Sequence, residues 1–457
     1  MPNSVAERIY YKLPGTLQNI TVSAYGLKLR QQRYNRAFKA YLDDLKRSEW
    51  ISKEKMLDYQ NRKVIQLIKH AYNTVPFYKS LYDEYGVDIS QVQTIDDISQ
   101  LPILSKKQVK AAGDQLLSSS FKKQRLIKTL TSGTTGMPLE IYQTKDSINL
   151  QWAIFWRARA RFGLTIHDRH LMFGARMPIS HNHQAPPFWR HDYFNNRVYI
   201  STNHIHEKTV NSLVDYLNST HFDFFVGYPT VIYNFARLIK EKNLRLYNRP
   251  KIVVFSSDTV LSKQEEIISE VFGVPVTEFY GMVEFAGTMS KCEHERFHVD
   301  YEHCFIENHQ IDNSKSHKLI MTGWGNYAMP FIRYDVGDFG TPSTSSCKCG
   351  RESDSYFFID GRLEDFITTP DGRKLSGMNQ VFKHANNVLE LQLYQEKISE
   401  VIFRIVPDVH FSDNDKTLLI NEFRKRAGDE IEIRFNFVDS IKKTSKGKFR
   451  AVISELD

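Results

Sequence analysis

Thr131-Ser132-Gly133-Thr134-Thr135-Gly136-Met137-Pro138 is the stretch on which the reading of this chain turns. It follows a β-rich run over 126–130. Its glycines let backbone N–H groups turn toward an anion with no Cβ in the way, and the interleaved Ser and Thr hydroxyls add donors. Pro138 stiffens the exit. No Gly-Lys-Ser/Thr follows at Walker spacing, so this is a phosphate-binding loop of another kind. A plain polar surface turn has a similar composition; the preceding strand and the order of the residues favour the phosphate loop.

Outward from this loop the organisation changes twice. Residues 1–110 read as mostly helical, with Val64, Leu67, Ile68 and Ala71 recurring at i, i+3, i+4, i+7 before Pro76 interrupts. From about 120 onward, short apolar runs (125–130, 170–173, 222–226, 252–255) alternate with longer amphipathic stretches, and each is followed by a Gly, Ser or Pro turn. That alternation predicts an α/β fold with a largely buried, layered sheet. In the last hundred residues, Val401, Phe403 and Ile405 mark one strand, and Ile431, Ile433, Phe435 and Phe437 alternate with polar residues in another. Between them a helix is expected from Ser412 or Asp413 to Gly428. The expected domains are therefore 1–360, large, and 361–457, a small α+β unit, with the boundary near Asp360–Gly361.

Composition narrows the class. The 457 residues exceed one ordinary domain, and 41% hydrophobic residues are enough for a substantial core. A net charge of +8 favours anionic ligands, but the basic residues are dispersed and no helix-turn-helix, zinc-finger or RRM pattern directs them to nucleic acid. The first residues lack a signal-peptide pattern, and no apolar run reaches the roughly 20 residues of a membrane span, so a cytoplasmic location is expected. The four cysteines, Cys292, Cys304, Cys347 and Cys349, are too few for a disulfide framework. Cys292-Glu293-His294-x-x-x-His298 and Cys347-Lys348-Cys349-Gly350 instead carry zinc-type ligands, with Cys292, His298, Cys347 and Cys349 the preferred set. His294 is a competing ligand, and Cys304 is equally read as a small buried hydrophobe. Four protein ligands leave no open position, so such a zinc is structural.

Four further segments stand downstream of the loop: Glu278-Phe279-Tyr280-Gly281-Met282-Val283-Glu284, Phe331-Ile332-Arg333-Tyr334-Asp335-Val336-Gly337-Asp338, Gly361-Arg362-Leu363-Glu364-Asp365, and Thr444-Ser445-Lys446-Gly447-Lys448-Phe449-Arg450. Together with the loop, in this order, they resemble the motifs of the adenylate-forming superfamily of acyl-CoA synthetases, peptide-synthetase adenylation domains and luciferases. Val283 stands where Thr is usual. Leu13-Pro14, Tyr25-Gly26 and Pro102-Ile103-Leu104-Ser105-Lys106 look like its phenylacetate–CoA ligase-like branch, which includes the CapK-like proteins of capsular polysaccharide clusters.

The resemblance implies an enzyme that joins a carboxylic acid to AMP from ATP with Mg²⁺, then passes the acyl group to CoA or to an amine. It implies that Thr131, Ser132, Gly133, Thr134, Thr135 and Gly136 hold the β and γ phosphates and that Glu284 helps place Mg²⁺. Tyr280, beside Gly281, would stack on adenine, and Ser257 and Asp258 would lie at the adenine edge, where Asp258 is shorter than the usual Glu. Asp338 would accept from the ribose, Arg362 would add a ribose or phosphate contact, and Glu364 and Asp365 would form a hinge. Lys448 would bridge the reacting carboxylate and the α-phosphate; taken alone it is one more lysine in a basic tail with Lys442, Lys443 and Lys446. Tyr228 and Pro229, after Gly227, are read equally as acyl-pocket wall or structural turn. A catalytically silent nucleotide-binding relative is the reading from another class.

Overall fold

The computed structural model describes residues 5–131, 139–174, 178–180, 182–256, 260, 262–310, 316–360, 367–370, 374–375, 378, 381, 387–442 and 450–456. The chain opens with helices. The helix Lys53–Thr74 buries Val64, Leu67, Ile68 and Ala71 to 1% exposure or less, which is the face the apolar spacing predicts. Pro76 does more than interrupt. It occupies the first turn of the next helix, Pro76–Glu84, where its missing N–H has no partner to lose.

Twelve strands among the described residues form one mixed sheet. Its parallel part runs Arg197–Ile200, His170–Phe173, Phe224–Gly227, Ile252–Ser256 and Val276–Gly281 in neighbouring positions. Alternation distributes these strands between two cores. Phe225, Val253 and Phe255 point to one layer with Leu213, Phe235 and Phe272. Phe224, Val226, Ile252 and Val254 point to the other, against Phe38, Ile154 and Trp156. Burial on both faces explains why these strands read as continuous apolar runs.

Beyond Val276–Gly281 the sheet turns antiparallel through Thr288–Lys291, Phe297–Val299, Ser355–Asp360, Phe331–Pro342, His317–Gly323 and Cys304–Gln310. The helix Lys53–Thr74 packs its apolar face on this half.

A separate four-stranded sheet follows, in the order Glu432–Phe437, Glu400–Pro407, Val388–Lys397, Val452–Ser454. Val401, Phe403 and Ile405 face its core with Leu419 and Phe423 of the helix Asp413–Ala427. Ser412 caps that helix in a capping box with Asp415, and Gly428 ends it at φ 81°. Both helix boundaries are those the sequence predicts. Ile433 and Phe435 are half-buried, while Phe437 is 46% exposed on the edge strand. Among the described residues no helix is long and apolar enough to cross a membrane.

Candidate functional site

The loop is anchored by a two-stranded ribbon, Ile127–Leu130 against Glu140–Gln143. Beyond the last strand pair, the Thr131 N–H donates to the Leu139 carbonyl at 3.0 Å and the Leu139 N–H donates to Thr131 Oγ1 at 2.9 Å. Thr131 therefore extends the ribbon by one pair with Leu139, using backbone and side chain together. Ser132, Gly133, Thr134, Thr135 and Gly136 lie outside the described residues, as do Ser257, Asp258, Arg362, Glu364, Asp365 and Lys448.

Tyr280 and Gly281 end the last parallel strand. The chain then turns sharply, with the Phe285 N–H donating to the Met282 carbonyl at 3.2 Å. Glu284 stands at the third position of this turn, 6% exposed, and nothing among the described residues donates to its carboxylate. A carboxylate that no described neighbour engages keeps its oxygens available to a cation.

Asp338 belongs to the strand Phe331–Pro342, several strands from Tyr280 in sheet order, yet the Tyr280 hydroxyl donates to Asp338 Oδ2 at 2.6 Å. The strand carrying Asp338 is itself held by the 102–106 segment. Leu104 N–H donates to the Arg333 carbonyl and Asp335 N–H to the Leu104 carbonyl, both at 2.9 Å. Arg333, at φ 48°, reaches Glu307 with two bonds of 3.0 and 2.7 Å. Two of the sequence motifs thus brace each other.

Tyr228 and Pro229 start the helix Pro229–Glu241, with Pro229 in its first turn. Gly227 before them is required by close approach: a Cβ there would lie 2.0 Å from the Phe173 carbonyl oxygen. Tyr228 beside it is half-buried and Pro229 is buried.

Cys292, His298, Cys347 and Cys349 converge, with their ligand atoms all within 4.8 Å of one another. Cys292 Sγ lies 3.7 Å from Cys347 Sγ, and Cys349 Sγ lies 3.3 Å from His298 Nε2. A tetrahedral zinc with bonds of about 2.3 Å to sulfur and 2.0–2.1 Å to nitrogen sets these spacings at roughly 3.8 and 3.5 Å, so the four residues fit the ion. His298 Nδ1 faces the Ser353 carbonyl at 3.3 Å, which leaves Nε2 for a metal. Burial, with Arg161 adding to it, lowers the His298 pKa to about 4 and keeps the ring neutral. Burial pushes the Cys292 thiol up to about 12, whereas at Cys349 burial is overcome by hydrogen bonds, chiefly from Arg351, that lower it. His294 and Cys304 fall outside the cluster. Cys304 is fully buried, with its sulfur 3.5 Å from the Asp300 carbonyl.

Next to this cluster lies a buried ionic network that sequence reading does not reveal. Arg351 pairs with Glu49 at 3.2 Å and Glu293 at 3.0 Å, and Arg161 pairs with Glu49 at 3.2 Å. Arg157 reaches Asp300 at 2.5 Å and Glu302 at 2.7 Å. Arg157 lies in the helix Lys145–Ala160, whereas Glu49, Arg161, Glu293, Asp300, Glu302 and Arg351 lie on turns flanking the helices and the antiparallel strands. Arg157 and Arg159, set among Trp156, Ala158 and Ala160 in the last turn of Lys145–Ala160, are a local sign of it.

Comparisons with known proteins agree on the family. A model described as the CapK C-terminal domain matches residues 367–455. The chain is 24% identical over 456 residues to Protein CapK of Staphylococcus aureus, covering 98% of this chain and 99% of that one. It is 23% identical over 343 residues to a phenylacetate-coenzyme A ligase of Thermus thermophilus, covering 70% and 73%. Its fold matches a 2-hydroxyisobutyryl-CoA ligase crystallised in the postadenylation state with R3-HIB-AMP, at a TM-score of 0.69, 15% identity, and 89% and 91% coverage. The chain is thus CapK-like along nearly its whole length and phenylacetate–CoA ligase-like over most of it, with the fold of an adenylate-forming CoA ligase.

Proposed function

We propose that the protein is an AMP-forming acid ligase that converts a carboxylic acid and ATP to acyl-AMP and pyrophosphate, then transfers the acyl group to the thiol of CoA. The observation that carries this reading is the 2.6 Å bond joining Tyr280 to Asp338 across 58 residues, which brings two nucleotide motifs to one place. In the first half-reaction a carboxylate oxygen attacks the α-phosphorus, the new O–P bond forms, and the bond to the β-phosphate oxygen breaks. Two anions must meet, so the site needs fixed donors and positive charge more than covalent help.

In this reading Asp338 accepts from the ribose hydroxyls, and Tyr280, held by Asp338, offers its ring to adenine, with Ser257 and Asp258 at the base edge and Gly281 leaving room beside it. The loop from Thr131 through Ser132, Gly133, Thr134, Thr135 and Gly136 holds the β and γ phosphates. Arg362 adds a contact to ribose or phosphate. Glu284 would hold Mg²⁺, which when bound neutralises phosphate charge. Lys448 brings a compact positive charge between carboxylate and α-phosphate, a role Arg does not fill. Tyr228 and Pro229 form one wall of the acid pocket. Glu364 and Asp365 let a small domain, 361–457, pivot on a large one, 1–360, between the half-reactions. Cys292, His298, Cys347 and Cys349 would hold a structural zinc.

The resemblance to CapK-like proteins allows a second acceptor, an amine, giving an amide in surface-polysaccharide or secondary-metabolite synthesis. ATP–pyrophosphate exchange with pooled aryl, fatty and amino acids tests the first half-reaction. Exchange that requires an acid and is lost in Lys448→Ala is the expected result. Nucleotide binding without exchange in any pool would instead support a catalytically silent relative. Thioester formation with CoA, set against amide formation with amines, separates the two acceptors.

A further inference from the structure

Phe285 immediately follows Glu284 and sits at φ 55°, a left-handed conformation that a bulky side chain rarely adopts. It is 1% exposed and surrounded by groups that fit this conformation. Its ring stacks on the imidazole of His303, with centroids 4.3 Å apart and planes at 15°. A Cβ on Gly325 would lie 2.4 Å from the same ring. A Cβ on Gly323 would lie 2.6 Å from the Ala286 carbonyl oxygen and 2.8 Å from that of Phe285. Two glycines from a distant strand end therefore make room for this one residue.

His303 is itself fixed. Its Nε2 lies 2.7 Å from Thr288 Oγ1, and Thr288 donates to Asp300 Oδ2 at 2.6 Å. Asp300 also accepts from Ser290 at 2.8 Å and from Arg157 at 2.5 Å. The backbone at His303 is held on both sides, by its N–H to the Asp300 carbonyl at 3.1 Å and by its carbonyl to Trp324 N–H at 2.9 Å. The ring under Phe285 thus rests on the buried ionic network.

We propose that Phe285, clamped between His303 and the glycines 323 and 325, is a positioning residue that holds the Glu284 turn in place for a divalent cation accompanying ATP. The inference rests on the nucleotide role of Glu284 given above. Strain held by an over-determined surrounding is what a pre-organised site requires. The Met282–Phe285 turn hydrogen bond leaves Glu284 with few backbone alternatives once Phe285 is locked. Without the lock, the turn relaxes and the carboxylate is no longer set before the ligand arrives.

The test measures ATP affinity by calorimetry on the whole protein with no acid present, once in EDTA and once in saturating Mg²⁺. The ratio of the two dissociation constants reports the Mg²⁺ enhancement independently of turnover and of the folded fraction. Phe285→Leu keeps apolar volume and loses the flat stack. Phe285→Gly tolerates the backbone angle and frees it. Both are expected to cut the enhancement by about tenfold, a loss equivalent to about 1.4 kcal/mol, and to leave affinity in EDTA unchanged. Gly325→Ala, which crowds the ring from the other side, serves should either variant fail to fold. Glu284→Gln is the control and should abolish the enhancement. An undiminished ratio in the Phe285 and Gly325 variants, with Glu284→Gln losing it, overturns the positioning role alone. An undiminished ratio in Glu284→Gln overturns the reading of Glu284 and the positioning role with it.

Discussion

The Tyr280 hydroxyl is donated to Asp338 at 2.6 Å, so each side chain constrains the other before any nucleotide is bound. A hydrogen bond to a charged group contributes about 1.5–3 kcal/mol. Tyr280→Phe should therefore raise the KM for ATP by roughly tenfold with little change in the KM for the acid. Asp338→Ala removes the bond together with the ribose acceptor proposed above, and should lower kcat/KM for ATP by about a hundredfold or more. Steady-state pyrophosphate exchange reads both. Neither the bond nor the clamp on Phe285 was legible in the sequence. Tyr280 and Asp338 each announced themselves within a motif, but their partnership spans 58 residues and depends on how the sheet curves. His303 carried no signal at all, because an isolated histidine between Tyr301 and Cys304 reads like any core residue. It has a measurable consequence nonetheless. Burial holds its pKa at about 4, against about 6.5 in an unfolded chain. Between those values the unfolded state binds more protons, so stability falls as pH drops from about 6.5 toward 4, by up to roughly 3 kcal/mol from this group. His170, also fully buried and lowered by desolvation, acts in the same direction. Urea midpoints at pH 7 and pH 5 should differ in the wild type, and by less in His303→Phe.

At the scale of elements, the Cys and His ligands show why some sites can be read from a sequence. Cys347 and Cys349 flank one residue in a tight turn at Gly350 (φ 82°), and Cys292 and His298 lie around the turn joining the strands Thr288–Lys291 and Phe297–Val299. Local geometry fixes each pair, so the short spacings carried the information. The sequence already preferred His298 to His294 and Cys304; the fold adds that His298, and neither of the other two, brings a ligand atom within 4.8 Å of the three sulfurs. Elemental analysis of protein purified without chelator is expected to find about one zinc per chain, from the four-ligand geometry. Cys347→Ser should lose it, and Cys304→Ala and His294→Ala should retain it. Chelation should lower Tm by at least about 5 °C, because binding energy at a structural site is folding energy. Arg351, two residues beyond Cys349, would transmit the loss to Glu49 and hence to the packing of the N-terminal helices. Retention of the metal in Cys347→Ser would remove that residue from the ligand set.

At the scale of the whole molecule, apolar periodicity made the layering legible, since parallel strands buried on both faces produce apolar runs and helix faces produce the 3.6-residue repeat. The antiparallel half was less legible. Its strands mix buried charges with apolar residues, as at Lys291 and Arg333, and its two runs of consecutive strands join through the pairing of Phe297–Val299 with Ser355–Asp360, which no local pattern announces. The large sheet ends at Asp360, and the next described strand, Ile367–Thr368, pairs with Lys374–Leu375 outside it. The chain therefore leaves one sheet before entering another, and in sequence the Gly361–Asp365 motif falls in the passage between Asp360 and Ile367. If the small domain pivots there, adenylation and acyl transfer need different backbone angles at that point. Proline fixes φ near −65° and restricts the residue before it as well. Asp365→Pro should therefore separate the two half-reactions: pyrophosphate exchange persists within a few fold of wild type, whereas acyl transfer from supplied acyl-AMP to the acceptor falls by about a hundredfold, equivalent to about 2.7 kcal/mol on that barrier. Asp365→Ala removes the carboxylate without fixing φ and should leave both rates near wild type. Equal losses in both half-reactions of the proline variant, in folded protein, would mean that the passage is a rigid support and that the two reactions share one arrangement of the chain.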